Sequence, residues 1–87
     1  MNYTINENTE VEMENETQRH DVAKQLCRVA VDDYRYGEKA QMQALDSLAN
    51  FLDIPFVVKT LQRMAGDDYT YGEKASMRAL RILGKIL

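Results

Sequence analysis

The sequence predicts an all-α protein in which four helices form two tandem αα-hairpin repeats behind an acidic tail. Three observations predict this fold class. One stretch recurs after 35 residues, apolar residues in both copies recur at helical spacing, and the link between the copies is only a few residues long. So short a link makes the chain fold straight back on itself, as antiparallel helices require.

The repeat is clearest in one turn. The pattern Asp-Asp-Tyr-x-Tyr-Gly-Glu-Lys-Ala occupies residues 32–40 and again residues 67–75. Residues 22–52 (copy 1) and 57–87 (copy 2) are identical at 18 of 31 aligned positions, more than shared composition would produce. The chain is therefore a duplicated unit, and we expect one helical domain over residues 16–87.

Residues 1–15 are rich in Asn and Glu, and their apolar side chains are too scattered to define a helix face. Such a segment buries too little apolar area to offset the entropy cost of ordering, so we expect a mobile acidic tail. A short strand is the alternative, because glutamates alternate with Val11 and Met13.

The first helix of each copy is predicted from about Thr17 and from Pro55, which fits a first-turn position because its missing N–H costs nothing there. Gly66 is expected to end the second of these helices in a left-handed conformation. The apolar face in copy 1 consists of Val22, Leu26, Val29 and Ala30.

A second helix is predicted after each turn, near residues 38–52 and 73–86, with Asp33 and Asp68 as N-caps. The glycine of each turn is expected to relieve crowding where the helices meet. Both helices have apolar arcs too wide for one neighbour to cover, so we expect them to be central.

This pattern resembles a HEAT-type helical repeat over residues 22–87. In that family an aspartate-bearing turn leads into a helix with an Ala-Leu pair. The matching residues are Asp33, Ala40 and Ala44-Leu45 in copy 1, and Asp68, Ala75 and Ala79-Leu80 in copy 2. The resemblance implies a scaffold that binds proteins and has no active site of its own.

Composition argues against several classes of protein. No apolar run approaches the roughly 18–20 residues needed to span a bilayer, and the amino terminus lacks the features of a secretory signal, so we expect a cytoplasmic protein and no membrane partner. A single cysteine and a single histidine predict neither an intrachain disulfide nor a zinc site. We expect no cofactor.

The repeated turn also lacks the ligands of a calcium loop. Its third and fifth positions are tyrosines, and its twelfth is Gln43 or Arg78 where an EF-hand has glutamate. No catalytic set of nucleophile and base can be assembled, and we predict no enzyme. His20 is expected to be solvated and Cys27 to be a small, half-buried residue.

The tyrosines are the leading candidates for a binding site. A tandem repeat brings both turns to one edge of the molecule, and large amphipathic rings are favoured contact residues. We expect one tyrosine of each turn to pack onto its own hairpin and the other to contact a protein partner. The four residues are Tyr34, Tyr36, Tyr69 and Tyr71.

A basic stripe on the last helix is the alternative binding surface. Residues 1–53 carry a formal charge of −6 and residues 54–87 one of +3. The stripe is a solvated face, or it meets phosphates, an acidic protein or the glutamate-rich tail. Nucleic acid is the less favoured partner because only copy 2 has the stripe and because the acidic tail would compete with phosphate. It consists of Lys74, Arg78, Arg81 and Lys85.

The last helix also predicts self-association. Ile82, Ile86 and Leu87 lie on its wide apolar arc, where copy 1 has Ser47 in place of Ile82. A repeat unit without a polar cap is expected to pair through that end, most simply as a two-fold homodimer. The sequence thus predicts a small, self-associating protein-interaction module, with a nucleic-acid-associated or regulatory protein as the alternative.

Overall fold

A computed structural model describes the backbone of residues 2–86 and the side chains of residues 16–86. Over this range the chain forms six α-helices and no strand, which confirms the predicted all-α class. The helices are α1 (Asn2–Ala30), α2 (Asp33–Tyr36), α3 (Glu38–Leu48), α4 (Pro55–Ala65), α5 (Asp68–Tyr71) and α6 (Glu73–Leu83), with a 3₁₀ turn at Ala49–Phe51.

Helix α1 begins at Asn2, and the predicted start near Thr17 is wrong. The helix therefore runs through the segment expected to be a mobile tail. The side chains of residues 1–15 lie outside the described residues, and the mobility of that segment is not confirmed and stays a prediction.

The repeated turn contains a helix of a single turn in each copy, α2 and α5. The carboxylate of Asp32 accepts a hydrogen bond from the backbone N–H of Arg35 at 3.0 Å, and Asp67 accepts from Thr70 at 3.0 Å. The prediction that Asp33 and Asp68 cap the long helices α3 and α6 is wrong, because both aspartates lie inside the one-turn helices. The N-caps of α3 and α6 are Gly37 and Gly72, which make no side-chain cap hydrogen bond. An N-cap needs a non-helical backbone, and the first aspartate of each pair has it, with φ of −136° and −145°.

Each one-turn helix ends at a glycine with positive φ, 89° at Gly37 and 91° at Gly72. A Cβ added at either glycine would meet no atom within 4 Å, so the predicted role of relieving crowding is wrong and the backbone conformation is the reason for glycine. Gly66 has φ −93°, so its predicted left-handed conformation is wrong too. The residue with positive φ is therefore the glycine after each one-turn helix, Gly37 or Gly72, and not Gly66.

Helix α1 packs on α3, α4 packs on α6, and α3 contacts α6 across the junction of the two copies. The core lies between these helices and is built from apolar side chains with 2% exposure or less, among them Leu45, Leu48, Ile54, Val57, Leu61, Met64 and Ile82. No helix in the described part of the chain is long and apolar enough to cross a membrane.

A buried polar contact is repeated in both copies. The Gln41 amide donates to the carbonyl of Ala30 at 2.9 Å, and the Ser76 hydroxyl donates to the carbonyl of Ala65 at 3.0 Å. Both acceptors lie in the last turn of a helix, where carbonyls have no partner within the helix itself. A side chain of the second long helix thus satisfies the end of the first one.

Candidate functional site

The structure separates the four tyrosines into two kinds. Tyr34 and Tyr69, the second residues of the one-turn helices, are 99% and 97% exposed. Tyr71 packs against the core and Tyr36 is 38% exposed. The prediction that one tyrosine of a turn packs down is confirmed for Tyr71, and the contact role of Tyr34 and Tyr69 stays a prediction. We call these two residues the tyrosine edge.

Carboxylates accompany both exposed rings. Asp33 and Asp68 directly precede the tyrosines in sequence and are exposed. Hydrogen bonds from Thr70 hold the pKa of Asp67 below its usual value. Each turn therefore carries an exposed aromatic ring and two aspartates within three consecutive residues, and in copy 1 Asp32 also lies 3.8 Å from the guanidinium of Arg35. This composition suits a ligand with an apolar group next to a positive charge.

The basic stripe lies beside the junction of α3 and α6. The Lys74 ammonium is 3.4 Å from the Glu38 carboxylate, and the Arg78 guanidinium donates to Asp46. Sequence reasoning missed both acidic partners. A signal was present, because position 46 is acidic in copy 1 whereas its copy 2 equivalent, Arg81, is basic.

The other two cations of the stripe, Arg81 and Lys85, have no ion pair with any described residue. They line a shallow groove at the same junction, together with Asp46, Ala49, Arg78 and Ile82. Half of the predicted polyanion-binding surface is therefore occupied by contacts within the molecule.

Ile82 is only 2% exposed and belongs to the core, so its predicted place in an exposed association surface is wrong. It lies on the side of α6 that carries Arg78, and the presence of α3 on that side covers it. Ile86 is 50% exposed, and Leu87 lies outside the described residues. Within α6 itself, the exposed apolar side chains are Met77 and Leu80, at 63% and 58%.

An arginine in α1 holds the link between the two copies, a role that sequence reasoning also missed. Arg19 donates to both Asp53 carboxylate oxygens, at 2.8 and 3.0 Å, and to the carbonyl of Asn50 at 2.8 Å. Its guanidinium lies 4.8 Å from the centre of the Phe51 ring. The hydrogen bond from Arg19 lowers the pKa of Asp53 and raises the pKa of Arg19 itself.

The remaining side chains with distinctive chemistry, those of His20 and Cys27, pack against other residues of the fold. His20 is exposed as predicted, although its ring edge contacts Phe56 at a centroid distance of 6.0 Å. Cys27 is half-buried as predicted, and burial raises the pKa of its thiol. Within residues 16–86, no group of three or more His, Cys, Asp or Glu side chains is placed to hold a metal ion.

Comparison of the chain with protein-family models, with curated proteins and with solved structures finds no match. The resemblance to HEAT repeats therefore stays a prediction.

Proposed function

We propose that the protein is a non-enzymatic interaction module that binds a protein partner through the tyrosine edge. The observation that carries this proposal is the exposure of Tyr34 and Tyr69, at 99% and 97%. A side chain so exposed buries no apolar area in the fold, so its ring contributes little to stability. It is nevertheless present in both copies, whereas the next residue differs between them, Arg35 in one and Thr70 in the other.

The surroundings of the rings define the chemistry of the partner. Tyrosine is enriched among residues that dominate binding energy, and its ring attracts cations as well as apolar groups. The aspartates of each turn add negative charge beside the ring. The partner that fits is a protein surface that offers apolar pockets bordered by lysine or arginine.

The proposal extends to the architecture that presents the edge. The two copies act as tandem αα-hairpin repeats, α1 with α3 and α4 with α6, each with its one-turn helix on the connecting side. Supporting this, the same aspartate cap and the same positive-φ glycine recur 35 residues apart. A HEAT-like scaffold of this kind would hold the two tyrosines in matched positions.

The test is affinity purification of the tagged chain from its native cells, with quantitative comparison of the co-purifying proteins. A Tyr34→Ala/Tyr69→Ala variant should lose its specific partner, because removal of one hot-spot side chain costs about 2 kcal/mol or more, roughly 30-fold in affinity. The matched control is Arg35→Ala/Thr70→Ala, which changes exposed neighbours in the same turns. Equal recovery of the partner by both double variants would refute the proposal.

A polyanion-binding role for the stripe has weaker support. Within the stripe, only Arg81 and Lys85 lack an ion pair with a described residue, since Lys74 and Arg78 bind the acidic side chains of α3. We retain nucleic acid as the second candidate on the strength of these two cations.

A further inference from the structure

Identical residues have different exposures in the two copies. Met77 and Leu80 of α6 are 63% and 58% exposed, whereas Leu45 is completely buried and Met42 is partly buried against the core. Both pairs occupy equivalent positions, 35 residues apart, in helices of 11 residues each. The difference therefore comes from the neighbouring element: α3 has α6 beside it, and no described element covers the corresponding side of α6.

We define the open face of α6 by the helical stripe Glu73, Met77, Leu80, Arg81 and Gly84. In copy 1 the equivalent stripe is the side of α3 that meets α6. Two members of that stripe, Glu38 and Asp46, make ion pairs with α6, and a third, Leu45, is in the core. The open face of α6 is thus equivalent in position to the side of α3 that α6 covers.

We propose that the open face of α6 pairs with the same face of a second copy of this chain, antiparallel and about a two-fold axis. In this arrangement Met77 of each molecule packs against Leu80 of the other. Glu73, in the first turn of one helix, comes near Arg81, toward the end of the other. Antiparallel packing also sets the positive end of each helix dipole beside the negative end of its neighbour.

Charge and polarity favour this arrangement over head-to-tail stacking of copies. In stacking, the open face would meet the exposed side of α3 in the next molecule. That side keeps one cation, Lys39 in place of Lys74, but has Gln43 and Ser47 where α6 has Arg78 and Ile82. It therefore supplies neither an equivalent of the Arg78–Asp46 ion pair nor the apolar contact of Ile82. In two-fold pairing, Glu73 of each molecule faces Arg81 of the other, and Met77 of each packs against Leu80 of the other.

The basic stripe does not oppose pairing strongly, because Lys74 and Arg78 are already bound to Glu38 and Asp46. One helix from each molecule buries less than the roughly 1,200 Å² typical of a stable interface. We therefore expect a weak dimer whose population depends on protein concentration. This inference is independent of the tyrosine edge and does not rest on the proposed function.

The test is sedimentation velocity of the full chain from low to high micromolar concentration, with circular dichroism as a check that each variant is folded. Wild type should dimerise, and Leu80→Gln should weaken dimerisation at least about tenfold, by loss of an apolar contact. The control is Val22→Gln, which replaces an exposed apolar residue of α1 whose copy 2 equivalent, Val57, is buried. Val22→Gln should leave two-fold pairing unchanged but would weaken head-to-tail stacking.

Charge reversal tests the orientation. Glu73→Arg and Arg81→Glu should each weaken self-association, because like charges then face each other across the two-fold axis. A mixture of the two variants should form a heterodimer, and the double variant E73R/R81E should regain the wild-type association.

Four results would overturn the proposal. They are a monomer at all concentrations, dimerisation unaffected by Leu80→Gln, association weakened by Val22→Gln, and failure of the two charge variants to pair. If the chain stayed monomeric and Leu80→Gln instead abolished binding of a different protein, that protein would be the occupant of the open face.

Discussion

Gly37 and Gly72 occupy the same place in the two copies, between a one-turn helix and the long helix that follows. Their backbone angles, φ 89° with ψ 155° and φ 91° with ψ 148°, lie in a region that is essentially restricted to glycine. Because a Cβ at either position would have open space around it, the cost of any substitution is backbone strain alone.

The first prediction concerns the backbone strain that a side chain at Gly72 would cause. Gly72→Ala should lower the free energy of unfolding by about 1–3 kcal/mol. Gly66→Ala is the matched control, since Gly66 also ends a helix but has φ −93° and only ordinary contact around its Cβ; its effect should be within about 0.5 kcal/mol. Urea unfolding followed by circular dichroism measures both. Equal destabilisation by the two substitutions would contradict the backbone explanation.

Gln41 and Ser76 show what the sequence could not predict at this scale. Both side chains are polar, so the helical pattern of the sequence predicts them to be exposed, yet they are only 2% and 6% exposed. Each is buried because it donates to a carbonyl in the last turn of the preceding helix. That acceptor is a backbone group, 11 residues earlier, and no pattern of side chains in the sequence marks it.

At the scale of helices, the apolar pattern predicted the number and order of the long elements well, because it reports which faces must be buried. The apolar pattern did not predict the two one-turn helices, α2 and α5. The predicted turn is a four-residue helix in each copy, capped by the first aspartate of the pair, Asp32 or Asp67. Four residues are too few to show a 3.6-residue period, so only the backbone geometry distinguishes this helix from a turn.

The contact between Arg19 and the link before α4 likewise could not be predicted from a local sequence pattern, since it joins residues 34 positions apart. Arg19 binds both oxygens of Asp53 and lowers the pKa of that carboxyl by its hydrogen bond. A carboxyl whose pKa is lowered by folding stabilises the fold above its unfolded pKa, and that contribution is lost as the pH falls through the folded pKa.

The second prediction follows from this contact. Arg19→Met should destabilise the protein at neutral pH. The difference from wild type should narrow as the pH falls below the ordinary aspartate value of 3.8 and through the lower pKa that Asp53 has in the folded protein. Thermal unfolding across this pH range measures the difference, and NMR titration should show the pKa of Asp53 return to its usual value in the variant. Arg35→Met is the control, because Arg35 approaches Asp32 only at 3.8 Å. A difference that did not depend on pH would indicate that the contacts to Asn50 and Phe51 dominate.

At the scale of the whole molecule, the charge asymmetry of the sequence has a partly internal explanation. The acidic half supplies Glu38 and Asp46, and the basic half supplies Lys74 and Arg78, which meet where α3 contacts α6. The sequence showed the excess of each charge but not which cations are neutralised. Similarly, the burial of Ile82 depends on which side of α6 lies beside α3, and a helical wheel of α6 alone does not contain that information.

The third prediction uses this pairing to test the stripe. If the protein binds a polyanion weakly, two available cations give a slope of about −2 for log affinity against log salt concentration. Glu38→Gln/Asp46→Asn should release Lys74 and Arg78, and the slope should steepen to about −3 to −4. Fluorescence anisotropy with a labelled DNA duplex measures both slopes. A slope of −4 in wild type would show that the ion pairs open on binding and would strengthen the nucleic-acid candidate.

The arrangement of contacts along the chain has a consequence for folding kinetics. The hydrogen bonds that join α1 to α3 and α4 to α6 span 11 residues, and the ion pairs between α3 and α6 span 32 and 36. Loops of this length close at a small entropic cost, and helical proteins dominated by such local contacts fold in microseconds to milliseconds. We therefore expect the contacts within each copy to form before the longer-range ion pairs between α3 and α6.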